Sequence, residues 1–259
     1  MHIVITGASS GIGAALAREL ATLPGARLTL VARRRGLLEE LARSLPCEVA
    51  VIERDLSKPD ADADAVEWLP DDVDVLVNNA GVQVIGPTAA IDVARGEASV
   101  QLNLLTPLRL TRAVLPRMLA RKSGTIVDIA SMAALAPTPG MTYYNASKAG
   151  LAAASEALRG ELRGTGVHVV TVYPGIVATD MAEQGLAAYG SNLALRLQPR
   201  GTTSGLARLI KQAILRRTAR VIYPRSYAFV RWLGPVVRFF VDRFAPALSA
   251  ETRPAREAS

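Results

Sequence analysis

The sequence predicts an α/β fold, with a doubly wound parallel sheet of about seven strands flanked by helices. Short apolar runs rich in β-branched residues alternate with longer stretches of helical period over most of the chain. Several of these runs are apolar almost throughout, which is typical of strands buried on both faces. A glycine-rich turn at residues 6–13 also joins the first run directly to a helical stretch.

The elements alternate in order along the chain. The predicted strands are the apolar runs at residues 2–6, 27–31, 48–52, 73–77, 124–129, 167–172 and 220–223. The predicted helices place apolar residues three and four apart, and they cover residues 12–23, 37–44, 61–69, 92–119, 143–163 and 202–215. The polar, alanine-rich stretch 180–200 does not continue the sheet, and we predict a lid there.

Length and composition favour one large core. The 259 residues are 50% apolar and 20% charged, and a chain of this size buries about 70 to 75% of its unfolded surface. Because no linker divides the chain, we predict a single domain over residues 1–259. Cys47 is the only cysteine, which excludes an internal disulfide and a cysteine-based zinc cluster and favours a reducing compartment. We predict no metal site.

The localisation expected from the sequence is cytoplasmic. The first residues show no signal-peptide pattern. A membrane-spanning helix needs about 20 mostly apolar residues, whereas the most apolar candidate, residues 223–244, contains four arginines and an aspartate.

The net charge of +7 is concentrated near the C-terminus. Residues 1–195 hold 17 Lys and Arg against 20 Asp and Glu, a balance of −3, and residues 196–259 hold 13 against 3, a balance of +10. Since only the tail is basic, we expect no nucleic-acid partner.

The turn TGASSGIG at residues 6–13 predicts a dinucleotide site. Glycines permit a tight turn and a close backbone approach, so that the N–H groups and the positive end of the next helix face a pyrophosphate. Structural turns into helices also use glycine, but the strand–turn–helix context favours the cofactor.

The chain resembles the short-chain dehydrogenase/reductase family, in its single-domain branch. The glycine pattern TGxxxGxG is followed, in the family's order and spacing over residues 1–224, by Asn78-Asn79-Ala80-Gly81, Asn103, Ser131, Tyr144 with Lys148, Pro174-Gly175 and Thr179. The resemblance implies a Rossmann-type fold, an NAD(P)-dependent oxidoreductase acting on CH–OH groups, and a homodimer or homotetramer. It implies a cofactor site that comprises Gly7, Ser9, Ser10, Gly11, Ile12, Gly13, Asp55, Leu56, Asn79, Ala80, Gly81, Tyr144, Lys148, Pro174, Gly175 and Thr179.

The resemblance implies specific roles for some of these residues. Asp55 and Leu56 match the family's adenine-pocket pair, and Thr179 matches the threonine that contacts the nicotinamide carboxamide. Asn79 matches a position that steadies the central strands near the cofactor. An aspartate after a strand is also an ordinary turn residue.

Tyr144 and Lys148 are the predicted acid/base pair. Residues four apart on a helix share one face, with their Cβ atoms about 6 Å apart. A phenol has a pKa of about 10, which must fall by about 3 for acid/base work near neutrality. A desolvated site holding Lys148 and a cationic oxidised nicotinamide would supply that change. Tyr143 lies off the shared face, and we expect it to pack against the pocket or the core.

Ser131 and Asn103 complete the predicted catalytic set. Ser131 follows a strand, where its hydroxyl would donate to a substrate carbonyl and stabilise the developing alkoxide; a serine that caps a turn is the alternative. The resemblance implies that Asn103 holds a water that relays protons through the lysine. A structural asparagine that bends its helix is the alternative.

The end of the second strand predicts NADP(H) in preference to NAD(H). An acidic residue there would bind the ribose 2′-hydroxyl, but the strand runs into Arg33, Arg34 and Arg35. Guanidinium groups suit a 2′-phosphate, and Arg33 and Arg34 are the predicted contacts. A solvated basic helix start is the alternative.

The aromatic residues concentrate after the last strand, where seven of the twelve lie in residues 223–244 among arginines. We expect residues 223–249 to form an amphipathic extension with a helix at 236–244, and residues 250–259 to be frayed. Three interpretations stay open for residues 223–244: packing on the body or a partner subunit, the border of a lipophilic substrate pocket, or peripheral contact with an anionic membrane.

Together these features predict an NADP(H)-dependent enzyme that interconverts a carbonyl and a secondary alcohol by hydride transfer. The predicted pocket loops, residues 82–87, 135–141 and 180–200, are rich in Ala, Leu and Met, which favours an apolar small-molecule substrate. A 3-oxoacyl thioester reductase is the alternative within enzymes. A non-catalytic, membrane-associated regulatory protein that binds NADP(H) is the alternative of another class, and the intact catalytic set counts against it.

Overall fold

A computed structural model describes residues 1–58, 65–189 and 198–233, together with 236, 239 and 243. Its strands are β1 (His2–Thr6), β2 (Arg27–Ala32), β3 (Glu48–Glu53), β4 (Val75–Asn78), β5 (Gly124–Ile129), β6 (Val167–Pro174), β7 (Ile176–Val177), β8 (Arg200–Gly201) and β9 (Arg220–Tyr223). Its α-helices are α1 (Gly11–Leu20), α2 (Arg35–Arg43), α3 (Ala65–Trp68), α4 (Val93–Val100), α5 (Thr106–Ala120), α6 (Thr142–Glu161), α7 (Asp180–Ala187), α8 (Thr203–Arg216) and α9 (Ala228–Trp232).

Seven strands form one parallel sheet in the order β3-β2-β1-β4-β5-β6-β9. The chain therefore winds outward from β1 in one direction and from β4 in the other, and right-handed crossovers place helices on both faces. The predicted doubly wound fold is confirmed. Strands β7 and β8 form a separate parallel pair beside the sheet.

Two apolar cores cover the two faces of the sheet. Strand β1 directs Ile3 and Ile5 into the core that contains Leu16 of α1 and Leu206 of α8. It directs Val4 into the opposite core, which α5 covers. Because successive side chains of a strand point to opposite faces, an uninterrupted apolar run is what both cores require.

The predicted single helix 92–119 is wrong in its middle. The chain forms α4, then a π-helical turn at Gln101–Leu105, and then α5. Pro107 has no N–H to donate to the carbonyl of Asn103, so regular α-helical bonding is lost there. Thr106 N instead bonds to Gln101 O. This wider turn carries Asn103, one of the predicted catalytic residues.

The other predicted elements are present with displaced ends; the fourth strand, for example, begins at Val75. Residues 61–64 of a predicted helix, 190–197 of the predicted lid, most of the predicted helix 236–244 and the segment 250–259 lie outside the described residues. Within the described part of the chain, no helix is both long enough and apolar enough to span a bilayer.

Candidate active site

A cleft of about 1220 Å³ lies at the carboxyl ends of β1, β4, β5 and β6. The segments that directly follow these strands line it. In doubly wound sheets the ligand site lies where the strand order reverses, which is here between β1 and β4. The predicted site residues line the cleft, apart from Gly13 and Asn103, which lie behind its wall.

The glycine turn at residues 6–13 is tightly packed against the end of β4. Gly7 and Gly11 have φ of +66° and +56°, a left-handed conformation that favours glycine. A Cβ at Gly7 would lie 2.8 Å from Ala80 Cα, and one at Gly13 would lie 2.3 Å from Gly7 O. The turn can therefore approach its neighbours only with glycine at these positions.

Hydrogen bonds between neighbouring strand ends hold this turn. Asn79 Nδ2 donates to the carbonyls of Thr6 and Gly7 at 2.9 and 3.2 Å. In return, Thr6 Oγ1 accepts hydrogen bonds at 3.0 Å from the backbone N–H groups of Asn79 and Ala80. Asn79 therefore makes hydrogen bonds of the kind that its predicted role, steadying the central strands near the cofactor, requires.

The first turn of α1 carries no side-chain cap. Ser10 is the N-cap residue, but its hydroxyl makes no capping hydrogen bond. Arg34 instead donates to Ser10 Oγ at 2.7 Å and to Ser9 Oγ at 2.9 Å. The helix start therefore retains N–H donors for an anion, and a guanidinium group lies beside it.

The other two arginines after β2 have different surroundings. Arg33 lines the cleft and forms a long ion pair of 4.0 Å with Asp55. Partial burial opposes ionisation of Asp55, but hydrogen bonds from Ser57 together with the charges of Arg33 and Lys58 hold the pKa of that carboxyl below its ordinary value. Arg35 pairs with Glu39 at 2.7 Å, within α2.

The segment after β6 faces the glycine turn. Thr179 caps α7 by accepting a hydrogen bond from Ala182 N at 3.2 Å. A Cβ at Gly11 would lie 3.3 Å from Thr179 Cγ2, so the two segments meet across the cleft. At Gly175, a Cβ would lie 2.5 Å from the ring of Tyr227.

Lys148 is buried at the end of β5. Its Nζ donates to Ile129 O at 2.7 Å. Burial lowers the pKa of Lys148 to about 8, and the charge of Asp128 opposes this change. Lys148 therefore keeps its positive charge at neutral pH and loses it as the pH rises through about 8.

Tyr144 lies one helical turn before Lys148 and is also buried. Burial raises the pKa of its phenol, and a side-chain hydrogen bond with Ser131 partly offsets that effect. Ser131 Oγ also accepts from Ala133 N at 3.1 Å as the cap of a 3₁₀ turn. Ser131 therefore caps a turn, as the alternative interpretation expected, and it also contacts Tyr144.

Asn103 is fully buried and makes hydrogen bonds in two directions. Its Oδ1 accepts from Val82 N, and its Nδ2 donates to Val82 O, both at 2.9 Å. Nδ2 also donates to Ser147 Oγ at 3.1 Å. A Cβ at Gly81 would lie 3.0 Å from Asn103 Oδ1 and 3.4 Å from Lys148 Nζ, so glycine leaves the space between these groups open.

A buried polar group that no sequence motif marks lies near Lys148. Asp128 lies inside β5, and Asn78 donates to its carboxylate at 2.8 Å. Burial raises the pKa of Asp128, against hydrogen bonds from Asn78 and Ser155 and the charge of Lys148. An aspartate in an otherwise apolar strand was the signal that could have revealed it.

The far end of the cleft involves the stretch 180–200, predicted as a lid, and the segment 223–244, for which a pocket border was one of three interpretations. Tyr189 packs with Met141 and Tyr144, and its hydroxyl donates to Pro139 O at 2.7 Å. Val230 of α9 is buried against the body and lines the cleft. No motif marks these positions. By contrast, Tyr143 packs over Gly96 of α4 and does not line the cleft.

An ion cluster holds α9 on the body. Arg231 and Arg220 both donate to Glu156, with shortest distances of 2.9 and 2.8 Å. Tyr173 donates to the same carboxylate at 2.7 Å. Arg220 contributes most to holding the pKa of Glu156 far below its ordinary value, against partial burial. Helix α9 thus both packs on the body and borders the cleft.

A family model described as short chain dehydrogenase matches residues 1–189. The chain belongs to the short-chain dehydrogenase/reductase family. It is 33% identical over 229 residues to a ketoacyl reductase of Nostoc, covering 85% of this chain and 77% of the relative. It is 38% identical over 196 residues to a fatty acyl-CoA reductase of Mycobacterium tuberculosis, covering 70% and 64%.

Solved structures of short-chain dehydrogenases share the whole architecture. One from Sphingobium yanoikuyae, in complex with NADPH, matches with a TM-score of 0.78 and 31% identity, over 96% of this chain and 98% of that chain. The predicted family and enzyme class are confirmed. The protein is an oxidoreductase with the nucleotide-binding fold of this family.

Proposed function

We propose that this short-chain dehydrogenase/reductase interconverts a carbonyl and a secondary alcohol with NADP(H). One observation carries the proposal: buried Tyr144 and Lys148 lie with Ser131 at the end of β5, in the same cleft as the uncapped start of α1. An acid/base pair beside a pyrophosphate-binding turn is what reduction of a carbonyl by a dinucleotide requires.

The nucleotide end of the cleft fits NADP(H). The N–H groups at the start of α1 suit the pyrophosphate. Arg34, oriented by Ser9 and Ser10 beside that turn, and Arg33 suit the 2′-phosphate. The NADPH bound to the Sphingobium relative supports this choice.

In the reductive direction, Ser131 donates a hydrogen bond to the carbonyl oxygen and Tyr144 gives that oxygen its proton. Burial alone raises the pKa of Tyr144, so the tyrosinate left behind needs positive charge nearby. Lys148 supplies an ammonium group from the same helix face. When bound, the dinucleotide supplies or accepts the hydride and, in its oxidised form, adds a second positive charge. In the oxidative direction Tyr144 takes the proton from the alcohol.

The hydrogen bonds of Asn103 hold the loop after β4 against α6. Its side-chain oxygen could also bind a water that relays protons. Its Oδ1 accepts one hydrogen bond, from Val82 N, and a carbonyl oxygen can accept two. The space that Gly81 leaves open lies between Oδ1 and Lys148 Nζ. A water there would connect Lys148 to Asn103.

The substrate end of the cleft favours an apolar carbonyl compound. Side chains from α7, α9 and the loop before α6 line it, among them Met141, Met181, Leu186, Val230 and Leu233. A 3-oxoacyl thioester is the second candidate, because relatives include a ketoacyl reductase and a fatty acyl-CoA reductase.

The test follows NADPH oxidation by the purified protein with aliphatic ketones, steroid ketones and 3-oxoacyl thioesters, and repeats each assay with NADH. We expect turnover of at least one apolar carbonyl, with NADPH preferred and activity lost in Tyr144→Phe. Failure of NADPH to bind would overturn the proposed cofactor. Binding of NADPH with every carbonyl inert would favour the regulatory alternative.

A further inference from the structure

The C-terminal segment presents a row of exposed apolar side chains beside the cleft. We call it the outward stripe: Phe229, Trp232, Leu233, Val236 and Phe239. Phe229 and Trp232 lie three residues apart on α9, and Val236 and Phe239 lie three residues apart beyond its end. Trp232 is 81% exposed, Phe239 65% and Phe229 54%. The other exposed large apolar side chains of the described chain carry no aromatic ring.

The ion cluster explains why the stripe faces outward. Val230 is buried against Met132 and Tyr173, and Arg231 is bound to Glu156. With these two side chains fixed on the body, the opposite face of α9 carries Phe229 and Trp232 away from it. Phe229 and Trp232 are therefore held in place as an exposed surface.

The charge of the segment favours an anionic partner. Residues 223–244, which carry the stripe, contain four arginines and a single acid, Asp242. Glu156 of the body neutralises one of these charges, that of Arg231. Arg225, just before α9, is exposed, and more arginines follow the stripe in sequence. An apolar face with arginines around it is the pattern of a segment that lies on a membrane surface.

A second copy of the chain is the less favourable occupant. Two-fold symmetric dimers join the same patch of both subunits. Such a contact on the stripe would bring two basic segments together, and like charges repel. A bilayer of anionic lipid instead offers an apolar interior to the aromatic rings and negative headgroups to the arginines.

We propose that the outward stripe binds the surface of an anionic lipid bilayer and places the mouth of the cleft at the lipid. Phe229, Leu233 and Val236 belong both to the stripe and to the cleft lining. An apolar carbonyl compound dissolved in the bilayer therefore has a path into the cleft that does not cross water. This consequence for substrate entry rests on the proposed function, whereas the binding to lipid does not.

The binding test uses the full-length protein and sedimentation with vesicles. One set contains phosphatidylcholine alone and the other contains phosphatidylcholine with phosphatidylglycerol. We expect binding to the anionic vesicles that weakens with added salt. The double variant Trp232→Glu/Phe239→Glu should bind at least about ten-fold more weakly, since two large apolar side chains no longer enter the lipid. Neither residue lines the cleft.

A matched control is Leu215→Glu in α8, because Leu215 is 54% exposed and lies outside the stripe. This variant should bind vesicles as the unchanged protein does. Failure of the unchanged protein to bind anionic vesicles would overturn the proposal, and so would equal binding by the double variant. Absence of vesicle binding, together with a smaller assembly of the double variant on size exclusion, would assign the stripe to a second copy instead.

An activity measurement separates this inference from the proposed function. A short, water-soluble ketone should be reduced equally by the unchanged protein and the double variant. A long-chain ketone in anionic vesicles should be reduced faster by the unchanged protein. Equal rates for both substrates would overturn the entry path. Lack of turnover of every soluble carbonyl would contradict the proposed function, while the sedimentation result still decides the binding.

Discussion

The two ends of the cleft are built in different ways. At the nucleotide end, the turn after β1 and the residues after β4 are neighbours because their strands are neighbours, and Asn79 joins them through the carbonyls of Thr6 and Gly7. At the substrate end, α7, α9 and the loop before α6 come from distant parts of the chain. One carboxylate, Glu156, carries much of the attachment of α9.

Because of this difference, the contacts that hold the catalytic groups are not the contacts that hold the substrate pocket, which sets specificity. Backbone geometry and strand order hold the nucleotide end and the catalytic side chains, so a change there should affect turnover or cofactor binding directly. Side-chain contacts hold the substrate end, so a change there should affect substrate affinity more than the rate of the chemical step.

The largest effect is expected from Tyr144→Phe. Loss of the phenolic proton should lower kcat by about 1000-fold, within the range of general acid catalysis. NADPH affinity should change little, because the ring stays in place. The matched control is Tyr143→Phe, which changes a ring outside the cleft and should retain activity. Steady-state kinetics and fluorescence titration with NADPH measure the two effects, and a tenth or more of the activity left in Tyr144→Phe would contradict the assignment.

Gly13→Ala should disrupt the nucleotide end through its backbone. The added Cβ would lie 2.3 Å from Gly7 O, so the turn has to shift. We expect a loss of about 1 to 3 kcal/mol in the free energy of unfolding and a clear loss of NADPH affinity. Gly36→Ala in α2 is the control, since a Cβ there meets no atom within 4 Å. Denaturant unfolding of both variants is the measurement; equal stabilities would mean that the turn is looser than the structure has it.

Arg34→Ala should alter the choice of cofactor. Loss of a charged hydrogen-bond donor to the 2′-phosphate should raise the KM for NADPH by about 10- to 100-fold, with little change for NADH. Arg35→Ala is the control, because Arg35 pairs with Glu39 within α2. If the KM for NADPH rises in Arg35→Ala and not in Arg34→Ala, the assignment of the phosphate contact is wrong.

The reduction rate should fall as pH rises through about 8, the pKa to which burial lowers Lys148. Above that value Lys148 loses its proton, so the tyrosinate formed during reduction loses its nearest positive charge. The measurement is kcat for a saturating ketone across neutral to alkaline pH. A rate that stays constant through this range would show that the charge of Lys148 does not control the step.

Glu156→Gln should have the smallest effect on the chemistry. It weakens the attachment of α9, so the KM for an apolar carbonyl should rise a few-fold while kcat stays nearly unchanged. A fall in kcat without a change in KM would show that the substrate end supports the chemistry as well, and would remove the distinction between the two ends.

The same variant tests the pH dependence of stability. The pKa of Glu156 is lowered in the folded protein, so the carboxylate stabilises the fold above the unfolded pKa of about 4.3. That contribution is lost as pH falls from this value toward the lowered pKa. The difference in thermal stability between the unchanged protein and Glu156→Gln should therefore be largest near neutral pH and shrink in acid. A difference that does not vary with pH would contradict the ionic account.

The sequence was sufficient for the sheet and for the nucleotide end. Apolar runs of strand length predicted the strands, and in a parallel sheet the residues that follow neighbouring strands must meet at one edge. That rule placed Ser131 at the edge of the sheet where the cofactor crevice opens, whereas the position of Asn79 near the cofactor came from the family resemblance. It did not predict the break in the helix 92–119, although Pro107 marks the place, because the good helix formers on both sides masked one disrupted turn.

The remainder depended on contacts between residues far apart in the chain. The sequence alone determined the alternation of strands and helices, the turn that suits a pyrophosphate and the tyrosine–lysine pair, because local periodicity and spacing encode them, whereas the strand order came from the structure. The tertiary structure alone decided that Arg34 donates to Ser9 and Ser10, that Val230 of the segment 223–244 borders the cleft, and that Glu156 holds α9. Such positions depend on how helices pack across the sheet, and packing of this kind leaves no spacing in the sequence from which it can be deduced.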